Sequence, residues 1–140
     1  SLLTLLSLYK PKAVNLVAPS VLTMPSERLQ RAKQAGLQIA ETDTLDDVLS
    51  STDVLYVTRV QKERFTDLDV YERVKHAYVI TPDTMKILNK NAILMHPFPR
   101  VDEIATEVDS DPRAVYLTHQ IPNGMYVRMA LLELILKKEQ

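Results

Sequence analysis

The sequence predicts an α/β domain built on a doubly wound, mostly parallel sheet. Three observations carry that prediction. Short apolar runs of strand length alternate with amphipathic helical patterns along the chain, the arrangement that produces parallel strands joined by crossover helices. The apolar run Ala92-Ile93-Leu94-Met95 stops abruptly at His96-Pro97-Phe98-Pro99-Arg100, as a buried strand does when it reaches a ligand-facing edge. The 140 residues, 46% hydrophobic and 25% charged, suffice for one packed core and are too few for two.

The elements follow in order. Leu2, Leu5, Leu6 and Tyr9 share one face at helical spacing, so residues 1–9 read as a helix that Lys10-Pro11 stops. Val14 to Ala18 is a short strand closed by Pro19. Pro25 stands near the start of the next helix and Gly36 just past its end, the usual asymmetry of these two residues. Leu37 to Ala40 is a weaker strand. Thr44 with Asp47 resembles a capping box opening a helix that carries Leu45, Val48 and Leu49. Strand 54–57 follows, then a charged stretch with a short helix around Tyr71 to Lys75. Ala77 to Ile80 reads as a strand, and Thr81-Pro82 caps a helix through Leu88. Strand 92–95 leads into the proline turn. Beyond an acidic stretch, Ala114 to Leu117 is a last short strand. The final helix runs from about 124 to 138 and is apolar on most sides, with Lys137 and Lys138 suited to the negative end of its dipole. The chain opens on a helix, where a strand–helix–strand unit would place a strand first. The sheet is therefore expected to lack its first strand, and the isolated 140 residues to fold poorly or to be one piece of a nicked or truncated chain.

Composition excludes several classes of function. A net charge of −1 argues for neither nucleic acid nor an anionic membrane. The absence of cysteine removes disulfides, thiolate metal sites and cysteine nucleophiles, and fits a reducing, cytoplasmic setting. The 2 glycines, Gly36 and Gly124, are too far apart for a glycine-rich phosphate cradle. The three histidines, His76, His96 and His119, show no metal-ligand spacing, and no serine sits in a nucleophile elbow. No metal and no cofactor are expected.

Two polar tips remain. One is Thr58-Arg59-Val60-Gln61-Lys62-Glu63-Arg64, beyond strand 54–57; the other runs from His96 to Glu103. In the second, each proline fixes φ and pushes its predecessor into extended geometry. The carbonyls of Pro97 and Phe98 become stiffly held acceptors for an amide or amino group, and Phe98–Pro99 is a candidate cis peptide. In the first, Arg59 can offer a two-pronged donor to a carboxylate. Gln61 faces the same way in an extended tip, and Glu63 is spaced to hold the guanidinium. Lys62 reads as a solvated charge. His96 invites a catalytic reading, but a histidine beside a proline turn serves equally as a structural hydrogen-bonding group, and that reading is preferred.

The paired tips resemble the signatures of the aspartate-binding domain of the aspartate carbamoyltransferase family, in the right order and over nearly the whole chain to Arg128-Met129-Ala130-Leu131-Leu132. The resemblance implies a Rossmann-like domain that supplies the aspartate side of a transfer from carbamoyl phosphate to L-aspartate in pyrimidine biosynthesis. It implies that Arg59 binds an aspartate carboxylate and Gln61 its polar groups. The backbone of Pro97, Phe98 and Pro99 would hold the carbamoyl group. Glu63 would support Arg59, and Arg64 and Asp102 would bridge the tips. No residue here is assigned a catalytic step. The resemblance further implies a carbamoyl-phosphate domain and a strand that this chain lacks, a homotrimer whose neighbouring subunit completes the site, and a mobile loop over 64–76 that closes over aspartate.

Departures from the family pattern are few. Phe98 stands where leucine or methionine is usual. One extra residue lies between Tyr116 and Gln120, and Ile121-Pro122 is unusual, which leaves the approach to the last helix open. Residues 100–132 lean toward the multifunctional pyrimidine-synthesis polypeptides of animals and fungi. The alternatives are an ornithine-type transcarbamoylase, which usually has His-Cys-Leu-Pro at 96–99, a catalytically silent assembly domain, and, more distantly, a regulatory α/β module.

Overall fold

The computed structural model describes residues 2–137, and for Arg64 the backbone alone. Two compact units divide the chain after Val48.

In the first unit, α1 (Leu2–Tyr9) precedes β1 (Val14–Val17), α2 (Ser26–Gln34) and β2 (Ile39–Thr42). The two strands pair in parallel, with Val14 opposite Ile39 and Val17 opposite Thr42. Helix α2 is the crossover between them, as alternating strands and helices require. Its end explains why β2 begins later than the sequence suggests. Gly36 takes φ 93°, the Leu37 amide donates to the Ala32 carbonyl at 3.2 Å, and the Gly36 amide donates to Lys33 at 2.9 Å. This is a Schellman close, and its hydrophobic partners Ala32 and Leu37 are both buried. With its amide spent on the helix, Leu37 cannot join the ladder. The short α3 (Asp46–Leu49) starts beyond Thr44, whose hydroxyl donates to Asp43 at 3.3 Å. The expected capping box at Thr44 is thus not formed, because that hydroxyl is turned to the neighbouring carboxylate while the Thr44 amide donates to the Thr42 hydroxyl at 3.1 Å.

In the second unit, β3 (Val54–Tyr56) and β4 (Ile93–Met95) pair in parallel, Val54 opposite Ile93 and Tyr56 opposite Met95. Helix α4 (Leu68–Val74) begins earlier than expected, capped by the Asp67 side chain on the amides of Asp69 and Val70. Helix α5 (Pro82–Ile87) has the expected Thr81 cap, reciprocated by Thr84. Two expected strands reduce to single bridges. Of Ala77 to Ile80, only Ile80 pairs, with Ile104, because the Ala77 amide turns back to the Val74 carbonyl. Of Ala114 to Leu117, only Ala114 pairs, with Leu94. The next carbonyl, Val115, is taken by the amides of both His119 and Gln120 at 3.0 Å, which ends the ladder.

Those bonds open a π turn over Tyr116–Gln120, which runs into α6 (Ile121–Leu136). A π turn holds one residue more than an α turn, so Tyr116–Gln120 is wider than the helix it leads into. The unit's core gathers Leu49, Ile80, Met85, Leu88, Leu94, Ile104, Val108 and Tyr116. Arg113 fastens the end of α5 by donating to the carbonyls of Met85 and Leu88, with Asp111 paired to it at 2.7 Å. No residue of α6 is buried, and apolar side chains from Met125 to Leu136 are exposed on most sides. The predicted α/β class with parallel strands therefore holds, in two short parallel ladders. No helix among the described residues is long and apolar enough to cross a membrane.

Candidate functional site

Parallel pairing brings the two tips together. Because Tyr56 lies opposite Met95, the chain leaves β3 and β4 at the same edge, their carboxyl ends. The Val57 amide donates to the Met95 carbonyl at 3.0 Å and extends the pairing by one step. Thr58-Arg59 and His96-Pro97 thus depart from adjacent strands, where open α/β sheets expose their ligand-facing residues.

On the first tip, Arg59 Nη1 and Nη2 donate to the two Glu63 carboxylate oxygens at 3.2 and 2.5 Å. The pairing is the forked geometry that suits a guanidinium, and Glu63 holds the Arg59 pKa above its ordinary value. Gln61 is half-buried where the chain enters the 3-10 turn Lys62–Arg64. Lys62 is not a lone solvated charge, since its ammonium lies 5.7 Å from the centre of the Tyr71 ring, and Phe65 meets that ring edge-on. The expected partner of Asp102, the Arg64 side chain, lies outside the described residues. Asp102 itself is exposed.

The second tip is organised by His96, which is 1% exposed. Its proton inventory can be worked out from its partners. The Phe98 amide donates to Nδ1 at 2.9 Å, so Nδ1 carries no proton. Nε2 is 2.6 Å from Glu103 Oε1 and must be the donor there. The other Glu103 oxygen accepts from the amides of Val101 and Asp102, each at 3.1 Å. Burial lowers the His96 pKa, and Glu103 opposes that shift. Above the ring, the His96 amide donates to Gln120 Oε1 at 2.8 Å.

This arrangement sets the turn. Phe98 sits at φ 54°, in the left-handed region, with its amide turned inward to the imidazole. The Phe98–Pro99 bond is cis, as the sequence suggests. The Phe98 ring packs edge-on to His96 at 5.2 Å and tilts against Tyr116 at 5.8 Å. The carbonyls of Pro97 and Phe98 accept no hydrogen bond among the described residues. Beneath the turn, Asp109 receives Arg100 at 2.5 and 3.0 Å and the Tyr116 hydroxyl at 2.5 Å. Arg100 holds the Asp109 carboxyl below its usual range, while burial and Asp109 push the Tyr116 hydroxyl up. Among the described residues, no cluster of three or more potential ligands could hold a metal.

The sequence pairs Asp102 with Arg64 across the tips and gives no sign of Glu103, the buried carboxylate beside it that the turn is built on. Gln120, Arg100, Asp109 and Tyr116 were not singled out either. Their signal is one of burial across distant segments, which periodicity does not carry.

Comparison with known proteins shows the family. The family model for the Asp/Orn-binding domain of aspartate/ornithine carbamoyltransferase matches residues 1–135. The chain is 49% identical over 135 residues to the multifunctional protein pyr1-3 of Dictyostelium discoideum, covering 96% of this chain and 6% of that one. It is 45% identical over 128 residues to the aspartate carbamoyltransferase catalytic subunit of Methanothermobacter thermautotrophicus, covering 91% of this chain and 40% of the subunit. Among solved structures, it superposes on aspartate transcarbamoylase from Trypanosoma cruzi in complex with carbamoyl phosphate and aspartate. The TM-score is 0.77 at 41% identity, covering 86% of this chain and 40% of that one. The chain thus spans two fifths or less of each of these relatives.

Proposed function

This chain belongs to the aspartate/ornithine carbamoyltransferase family, and we propose that it supplies the aspartate side of an aspartate carbamoyltransferase. The observation that carries the reading is the adjacency of two unlike tips at one sheet edge: a braced guanidinium on the tip after β3, and two carbonyls without hydrogen-bonding partners among the described residues on the turn after β4. A guanidinium has five N–H donors, and Glu63 occupies one on each terminal nitrogen. The remaining donors of Arg59 are there for an aspartate carboxylate, with Gln61 beside them for its other polar groups.

The carbonyls of Pro97 and Phe98, with Pro99 closing the turn, accept from the carbamoyl nitrogen of carbamoyl phosphate. Aspartate's amine then attacks the carbamoyl carbon, and the tetrahedral intermediate expels phosphate to leave N-carbamoyl-L-aspartate. No covalent enzyme intermediate is involved, so rate enhancement comes from orientation and from groups aimed at developing charge. The phosphate is held by a carbamoyl-phosphate domain outside these residues, and a neighbouring subunit of a homotrimer completes the site. The apolar exposure of α6 supports a covering partner, since a helix apolar on most sides is normally buried. The segment 64–76 acts as a closing loop, and the enzyme works in the cytoplasm without metal or cofactor.

The test is product formation by the full-length protein from carbamoyl phosphate with L-aspartate or L-ornithine. Carbamoyl-aspartate alone is the expected product. Citrulline in its place, or no carbamoyl transfer to aspartate, would overturn the reading.

A further inference from the structure

The imidazole of His96 is a buried titratable ring at the proposed site that neither tip's proposed contacts use. We infer that His96, Glu103 and Gln120 form a positioning device that aims the Pro97 and Phe98 carbonyls, with His96 fixed as an Nε2–H tautomer that carries no proton in the reaction. The inference rests on the proposed role of those carbonyls toward the carbamoyl group.

Three points in the geometry support it. First, both ring nitrogens are committed. Nδ1 takes the Phe98 amide and Nε2 gives its hydrogen to Glu103, which leaves no lone pair or proton facing outward. Second, the bond to Nδ1 ties the residue whose carbonyl is at issue. Phe98 has φ 54°, a region that disfavours residues with a Cβ, and its amide bond to the imidazole is what holds the peptide that way round. Third, the device is anchored at both ends. Glu103 is 6% exposed and is itself held by two backbone amides, and Gln120 takes the His96 amide across from the π turn. A displacement of about 1 Å in groups that orient a substrate is enough to cost about 10²-fold in rate.

Substitutions at His96 in the full-length protein separate this role from proton transfer. In His96→Asn, the side-chain oxygen falls where Nδ1 lies and accepts the Phe98 amide two residues on, as asparagine does in a turn. His96→Gln and His96→Ala lose that acceptor. The expected result is kcat for His96→Asn within about tenfold of the parent, and about 10²-fold losses for the other two, with aspartate KM within about threefold in all. Equal losses in all three, or disappearance of the same limb of the pH–rate profile in all three, would overturn the inference while leaving the proposed function standing.

Two readouts guard against variants that fail to fold. Nitrogen-15 shifts of labelled histidine in the parent protein should report a neutral His96 with its proton on Nε2 at pH 7; an Nδ1–H ring or an imidazolium overturns the assignment. Gln120→Ala leaves the ring in place and should lower kcat with aspartate KM unchanged, and unchanged kcat would remove Gln120 from the device. A parent protein that makes no carbamoyl-aspartate would defeat the proposed function first, and the positioning role with it.

Discussion

Replacing Asp109 by alanine should destabilise the second unit by about 2–4 kcal/mol, and the figure can be built from the three bonds that Asp109 receives. The Tyr116 hydroxyl belongs to a residue that is 0% exposed, so losing its acceptor leaves a buried donor unsatisfied, at a cost of about 1–3 kcal/mol. The two Arg100 bonds are charge-assisted, but the Asp109 side chain is 30% exposed, and solvent screening reduces their share to about 1 kcal/mol. Asp109→Asn keeps an oxygen for the tyrosine and loses only the charge, so it should cost about 1 kcal/mol. Adding Tyr116→Phe to Asp109→Ala removes the orphaned hydroxyl and should restore part of the loss. Urea unfolding of the full-length protein followed by tyrosine fluorescence measures these three variants and Tyr116→Phe alone. The reasoning fails if asparagine is as damaging as alanine, or if Tyr116→Phe is equally harmful with and without Asp109.

Other outcomes follow from the same structure. Arg59→Ala should lower kcat/KM for aspartate by about 10²-fold, chiefly through KM, as expected when a charged contact to substrate is truncated, and unchanged aspartate kinetics would remove Arg59 from the site. Acid should destabilise the fold in two stages. The folded His96 pKa lies below the ordinary 6.5, so the unfolded chain binds the proton first and stability declines as pH drops below that value. Asp109 and Asp111 are held below 3.8 by Arg100 and Arg113, so their contribution is present above 3.8 and fades as pH falls through their folded values. A stability–pH curve measured by denaturant midpoints should show both declines, each no steeper than about 1.4 kcal/mol per pH unit per proton. Gly36→Ala should cost about 1 kcal/mol through backbone conformation alone, because φ is 93° and nothing lies within 4 Å of the added Cβ. A neutral effect on thermal unfolding would show that the turn relaxes.

The elements that could be read from sequence are those fixed by local chemistry. Proline-then-glycine placed α2, Thr81-Pro82 placed α5, and the apolar runs at 54 and 93 gave β3 and β4 within a residue or so. The strands that start late or stop short share one cause, competition for backbone groups. Leu37, Ala77 and Val115 each sit in strand-like sequence, yet each commits an amide or carbonyl to a neighbouring turn, and only one pairing survives at Ile80 and Ala114. The same limit applies at the site. Arg59 with Glu63 is a four-residue relation and was legible. The contacts of His96 with Gln120 and of Arg100 with Asp109 span 24 and 9 residues, and no local pattern encodes them. Glu103 was hidden differently, behind an adjacent acid whose side chain points to solvent.

The π turn at Tyr116–Gln120 acts as a phase adjuster. One residue added to a regular α-helix advances everything after it by about 100° around the axis and 1.5 Å along it. Such a step would swing the Gln120 amide away from His96 and rotate the whole of α6 relative to the core. A single wider turn takes up the added residue as girth, so the angular setting on either side is kept. With a residue taken up in this way, Gln120 meets the histidine amide at 2.8 Å. Length variation between Tyr116 and Gln120 is, on this view, silent for the geometry it borders, whereas the same change after Gln120 would be carried along the entire helix.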